Sequence, residues 1–316
     1  MTLTTFASRQ PATYIKGEVF DGHVSTDQML AKANLAGWNV RLREIETDAR
    51  SKKKAFECIR TNPFDGGLDR LGIAGERYGE VQNETVFHMF DDLDPKWSAA
   101  GQFRDGALVY GEAETDRTII IDEGGVNDVL RPRVVVATTH DSSGALKIGR
   151  TLLRLDCLNM WQAIFGDLQH SITIRHTLSI GERIKKIRQT WKTNNAYFDE
   201  VAVAANVMFQ KKVTDDQFFG IVGHLMGERP ELNTKGAQTK YDNALEDYSA
   251  AWKGDTNARI RGTQWGAFQA LVERNQWART IQNTPRGQEN FAMAGMGLDG
   301  ATVRFRQNAL DLVRSL

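Results

Sequence analysis

Cysteine and proline are scarce in this 316-residue chain, which has two of the first and six of the second. Two thiols, Cys58 and Cys157, make at most one bridge, so a disulfide-built secreted scaffold is excluded and a reducing interior is expected. With so few prolines and no Ser/Gly-rich tract, no flexible linker separates modules. Net charge is missing as well. Forty Lys and Arg meet forty Asp and Glu, so wholesale attraction to nucleic acid or anionic membrane does not follow from composition. No apolar run approaches the roughly 18 residues of a membrane span, and residues 1–17 carry Arg9, Pro11 and Lys16 instead of the apolar stretch of a secretory leader. The expectation is a soluble chain in the (host) cytoplasm with no membrane partner.

Catalytic signatures are equally thin. No GxxxxGK[ST] occurs, no GxGxxG opens a helix after a strand, and neither CxxC nor HExxH is present. An ATPase is therefore not expected, and no cofactor is implied. The strongest suggestion of chemistry is His140-Asp141, which follows an apolar strand and precedes Ser142-Ser143-Gly144. As half of a divalent-metal site for phosphoester hydrolysis it would use Mg²⁺ or a similar ion, with His88, His176 or a carboxylate completing the set. The competing reading gives Asp141 a turn-capping role, because Asp before Ser-Ser-Gly bonds its own backbone.

What the chain does have is a change of apolar period near residue 160. In the front half, Trp38–Ile45 alternates as a strand, Lys54–Arg60 is its hairpin partner, Leu71–Tyr78 is a third strand and Gln82–Leu93 a helix. Short strands follow at Trp97–Phe103, Ala107–Glu114, Thr118–Asp122, Arg133–Thr139 and Lys147–Asp156, while Thr26–Leu35 reads as a short helix. From Cys157 onward, three- and four-residue spacing takes over at Leu158, Trp161 and Phe165, at Ile180, Ile184 and Ile187, and at Val201 to Phe209. Further helices are expected at Asp215–Met226, Tyr241–Trp252, Thr263–Trp277 and Val303–Val313, with Thr284–Gly300 left as a loose Gly-rich stretch. The fold class is α+β: an antiparallel-sheet core built on a strand-strand-strand-helix unit plus further strands over residues 1–160, and a helical region packed on it over 161–316.

Charge is segregated along the chain. Phe64 to Asp128 holds fifteen acidic and five basic residues, whereas Arg131 to Lys192 holds four acidic and eleven basic. A phosphate backbone needs several cations on one surface, and aromatic rings beside them stack on unpaired bases. The candidate phosphate contacts are Arg150, Arg154, Arg175, Lys185, Lys186 and Arg188, with Lys147 and Lys192 secondary, and Trp161 and Trp191 as stacking candidates. The competing reading leaves the basic stretch as a solvated face or pairs it with the acidic segment of a neighbour. Oppositely charged edges also suit head-to-tail self-association into a ring or filament.

Several segments in this order resemble the domain-of-unknown-function family 932, phage/plasmid-like proteins of phages, plasmids and bacterial mobile elements. They are Ala36-Gly37-Trp38-Asn39-Val40, Tyr78 to Asn83, His140 to Gly144, Arg154 to Asn159, Arg175-His176-Thr177 and Arg261 to Ala270. Ser142 stands where the family more often has Gly, and Met160 where Thr is common. The order of strands, helix and basic block is also similar to that of the Redβ/RecT single-strand annealing superfamily. That second, looser resemblance implies a homo-oligomeric protein that binds single-stranded nucleic acid and anneals it in recombination or replication without a cofactor. Alternatives of other classes are the metal-dependent nuclease at His140-Asp141 and a purely structural phage oligomer.

Overall fold

The computed structural model describes residues 17–46, 53–161, 171–184, 196–227, 235–278 and 284–316. Eleven strands are formed among them: β1 (Glu18–Val24), β2 (Arg41–Ile45), β3 (Ala55–Thr61), β4 (Leu68–Gly75), β5 (Lys96–Phe103), β6 (Leu108–Glu114), β7 (Ile119–Ile121), β8 (Asp128–Thr139), β9 (Ala145–Arg154), β10 (Asn159–Trp161) and β11 (Ser171–Arg175). The helices are α1 (Thr26–Lys32), α2 (Asn83–Phe87), α3 (Ala196–Gln210), α4 (Asp215–Met226), α5 (Lys235–Lys253), α6 (Gln264–Trp277), α7 (Pro285–Gly295) and α8 (Gly300–Arg314). The class is α+β, with antiparallel sheets in front and helices behind.

Two sheets share the strands. The small one is the meander β2-β3-β4, followed by α2, which is the expected strand-strand-strand-helix order. The large one runs β1-β5-β6-β8-β9-β10, with β7 paired to β8 and β11 to β9. Its spine is β8, where Val129, Val134, Val135 and Val136 supply the branched side chains that suit a pleated surface. Pro132 is tolerated in mid-strand because β7 pairs only as far as Leu130 and β6 begins at Arg133, so its missing N–H falls in the gap between them.

One face of the large sheet carries two apolar clusters. At one end Val109, Val136, Leu146, Ile148 and Ile174 pack with Met29 and Leu30 of α1, Trp38, and Val86 and Phe87 of α2. At the other, Leu130, Leu152 and Trp161 join side chains of α3, α4, α5, α6 and α8. On the opposite face, Tyr110, Val135 and Ala137 meet Ala292 and Met293 of α7. Caps fix the helix starts. Ser25 with Gln28 and Thr214 with Gln217 form reciprocal capping boxes, and Thr263 accepts the Gly266 N–H at 3.0 Å.

Three expectations require correction. Residues beyond Cys157 first complete the sheet: β10 and β11 occupy successive stretches of one edge of β9, so Leu158 and Trp161 belong to a turn and a strand, while Phe165 lies outside the described residues. The expected helix 82–93 changes type after Phe87, continuing as a 3₁₀ turn over His88–Leu93. The stretch after Thr284 is helix α7, because Thr284 caps it, Pro285 sits in the first turn where no N–H is required, and Phe291 to Ala294 are buried. No helix among the described residues is long and apolar enough to cross a membrane.

Candidate functional site

Charges separated in sequence meet across the strands. Glu114 lies opposite Arg133, which also bonds Glu112, and all three are buried or half-buried. Arg154 Nε donates to both carboxylate oxygens of Asp128, at 2.8 and 2.9 Å, and its Nη2 reaches Asp156 at 3.4 Å. Arg117 pairs with Asp199. Glu112, Glu114 and Asp128 of the acidic block thus pair with Arg133 and Arg154 of the basic block within the chain.

That arrangement decides several candidate contacts. Arg154 has no exposed surface, and Arg150 is buried with its guanidinium 5.8 Å from the Tyr197 ring centre, so neither reaches a phosphate. Both point from the even-numbered, core-facing side of β9, beside Leu146, Ile148 and Leu152. Trp161 is likewise buried, edge-on to Trp265 and Phe268, and is no stacking platform. Lys185, Lys186, Arg188, Trp191 and Lys192 lie outside the described residues.

Lys147 and Arg175 behave otherwise. Register puts Lys147 opposite Thr173 and Ala145 opposite Arg175, so both cations occupy the sheet face opposite Ile148 and Ile174. Arg175 is exposed and Lys147 half-buried, and neither has an ion-pair partner among the described residues. They form one wall of an open groove of about 870 Å³ between the two sheets. Lys53, Lys54 and Arg77 form the other wall, Ser142, Ser143, Thr173 and Thr177 add hydroxyls, and Glu76 is the single carboxylate in the lining. Lys54 leans on Glu44 at 2.9 Å at the rim, and that bond raises its pKa. Lys53, Lys54 and Arg77 were missed because attention to one basic block ignores cations folded in from before it. The Lys52-Lys53-Lys54 run and the Arg77 beside Tyr78-Gly79 were the available signals.

Beneath the groove lies a polar network built from the segments that carry the family resemblance. His176 Nδ1–H donates to the Gly79 carbonyl at 3.3 Å, which leaves Nε2 to accept the Thr138 hydroxyl at 3.0 Å. Tyr78 stacks on His176 at 5.3 Å and donates its hydroxyl to the Thr139 carbonyl. His140 Nε2–H donates to Asn83 Oδ1 at 2.8 Å, oriented by the Asn83 amide on the Leu35 carbonyl. Trp38 packs against His140, and Gln82 bonds both backbone groups of Val40. Burial lowers the pKa of both histidines, His140 to about 3, where His176 and Arg60 lower it further. Both are neutral at pH 7.

His140 is enclosed, and the described residues contain no group of three or more His, Cys, Asp or Glu able to hold an ion. Asp141 has the turn-capping role: its Oδ1 accepts Ser143 N at 2.9 Å and Ser143 Oγ at 2.6 Å. Ser142 sits at φ 61°, the left-handed region that glycine enters without strain, which accounts for the glycine expected there.

The structure therefore defines a class: an α+β protein whose two antiparallel sheets flank an open cationic groove over a neutral polar floor. The chain belongs to the family described as Domain of unknown function (DUF932), whose model matches residues 70–296. Arg77, Lys147, Arg175 and the floor residues Tyr78, Gly79, Gln82, Asn83, Thr138, His140 and His176 lie inside the match, and Trp38, Val40, Lys53 and Lys54 precede it. No curated protein and no solved structure matches the chain.

Proposed function

We propose that this chain binds single-stranded nucleic acid along the groove between its sheets and, as a homo-oligomer, anneals complementary strands in recombination or replication of a phage or plasmid. The observation that carries the reading is the convergence of five cations and one carboxylate from separate parts of the chain on one open concavity. Among the described residues Arg60, Arg133 and Arg154 pair with carboxylates, whereas Lys147 and Arg175 have no ion-pair partner. A phosphate backbone is the polyanion that repeats along such a groove, and hydroxyls supply further donors to its oxygens. Base pairing itself releases the free energy of annealing, so no catalytic group is required.

Anisotropy with a fluorescent oligonucleotide tests it. The Lys147→Glu/Arg175→Glu double variant is expected to bind single strands at least about tenfold more weakly in low salt, with a shallower dependence on salt concentration. Unchanged affinity in that variant overturns the assignment of the groove. Mixing complementary labelled strands with the protein separates annealing from mere binding, and particle mass with and without DNA separates both from a purely structural oligomer, which ignores the nucleic acid.

A further inference from the structure

The groove exists because two sheets that share no strand are held face to edge, and the contacts that hold them are unusually close. A methyl on Gly79 would sit 2.2 Å from the Thr177 carbonyl oxygen, and one on Gly72 2.6 Å from the Asp141 carbonyl oxygen. Only glycine lets these backbones touch. Ser142 Oγ donates to the Ile73 carbonyl at 2.6 Å, and the Tyr78 hydroxyl to the Thr139 carbonyl at 3.3 Å. His176 bridges this seam with both of its ring nitrogens. Its two ring nitrogens face opposite sides, one bonded to Gly79 after β4 and the other to Thr138 on β8, and it follows Arg175 directly in the chain.

Resting on the reading above, we propose that His176 is the positioning residue of the groove: it fixes the spacing between the Lys54/Arg77 wall and the Lys147/Arg175 wall so that one strand is held by both at once. One wall carries three cations, Lys53, Lys54 and Arg77, and the other two, Lys147 and Arg175, all with the flexible reach of long side chains. Engaging both by one strand is a bivalent event, whose gain depends on the walls being pre-set at a spacing the backbone can span. The imidazole suits this role because a neutral ring, bonded at both nitrogens and stacked on Tyr78, has one orientation and adds no charge of its own.

The test is the salt slope of binding, which counts phosphates engaged and is indifferent to the fraction of protein that is active. With about 0.7 counterions released per contact on a single strand, five cations give a slope near 3.5, the wall of three about 2.1 and the wall of two about 1.4. His176→Ala in the full chain is expected to drop the slope by about half while leaving the thermal transition cooperative. Lys54→Gln/Arg77→Gln lowers the slope in the unaltered chain but, under this proposal, lowers it little further in the His176→Ala background. His176→Asn, whose amide reaches the Gly79 carbonyl, restores part of the slope. Gly79→Ala leaves every charge in place, forces the walls apart and lowers the slope as His176→Ala does, so it decides the matter if the alanine variant does not fold. A folded His176→Ala or Gly79→Ala protein with the slope of the unaltered chain, or fully additive losses, overturns the positioning role. An unaltered chain that binds no single strand overturns instead the functional reading on which this rests.

Discussion

Replacing Arg154 by alanine is expected to destabilise the protein by about 3–5 kcal/mol and to lower its melting temperature on the order of 10 °C, with no separate effect on strand binding by the molecules that remain folded. The size follows from what is left behind. Asp128 is fully buried, and its two carboxylate oxygens take the Arg154 Nε and, at 2.7 Å, the Trp265 indole N–H. Removing the guanidinium leaves a carboxylate in the core with one neutral donor. The same guanidinium also reaches Asn257 Oδ1 at 3.4 Å, and Asn257 holds the carbonyls of Ala251 and Gly266, so the sheet is tied to the start of α6 through it. Gly266 is constrained there too, since a methyl on it would sit 2.2 Å from the Ile260 carbonyl oxygen. Burial opposes the charge on Arg154, but Cys157, Asp128 and Asp156 beside it prevail and raise its pKa. The double variant Arg154→Met/Asp128→Leu removes both charges and is expected to recover much of the loss, short by the roughly 1–3 kcal/mol of an indole N–H without an acceptor. Urea denaturation of the two single variants and the double variant reads this cycle directly. An Arg154→Ala protein of unchanged stability and weakened strand binding would return Arg154 to the phosphate contacts and refute its structural role.

Arg154 also shows where sequence reading succeeds and where it stops. Alternation located β2, and short runs bounded by Gly, Asp or Pro located β3, β4, β5, β6, β8 and β9, while apolar spacing located the helices at Asp215–Met226 and Thr263–Trp277. Burial of a charge, by contrast, leaves no trace in local pattern. Arg150 and Arg154 have the spacing of an exposed basic face, and only the partners brought by β8, α3 and the turn before α6 put that face inside. The short strands β10 and β11 escaped because three to five residues at a sheet edge are stabilised by the strand they join rather than by their own composition. The groove was half legible. Lys147 and Arg175 lie in the basic block, whereas Lys53, Lys54 and Arg77 come from another sheet, and nothing in one sequence reports which sheets will meet. The segments resembling the family fared better than any charge count, since they converge on two internal networks: Trp38, Tyr78, Gly79, Asn83, His140 and His176 below the groove, and Arg154, Asn159, Thr263, Trp265 and Gly266 between sheet and helices.

Acid is expected to unfold the protein through the first of those networks, well above the pH at which its carboxylates titrate. His140 ionises near pH 3 in the folded chain but near 6.5 once unfolded, because burial, and secondarily the nearby His176 and Arg60, exclude its charged form. Between those values the unfolded state binds the extra proton, so stability rises with pH and is lost as pH falls below about 6.5. One buried histidine makes this loss about 1.4 kcal/mol per pH unit at its steepest, or roughly 2 kcal/mol by pH 5. His176, whose pKa burial also lowers, adds to it with the same sign. Denaturation midpoints measured in urea at pH 7.5, 6 and 5 are the check, and a stability at pH 5 equal to that at pH 7.5 would sink the claim. His140→Gln separates the two histidines: its amide keeps a donor for Asn83 Oδ1 but does not titrate, so the variant loses some stability at neutral pH and shows a flatter pH dependence. The consequence for the groove runs against intuition. Lower pH would favour polyanion binding if histidines simply added positive charge, but here protonating His140 or His176 costs the floor on which Lys147, Arg175 and Arg77 are arranged. Strand binding is therefore expected to fail, not strengthen, as pH falls from 6.5 to 5, in step with the loss of folded protein.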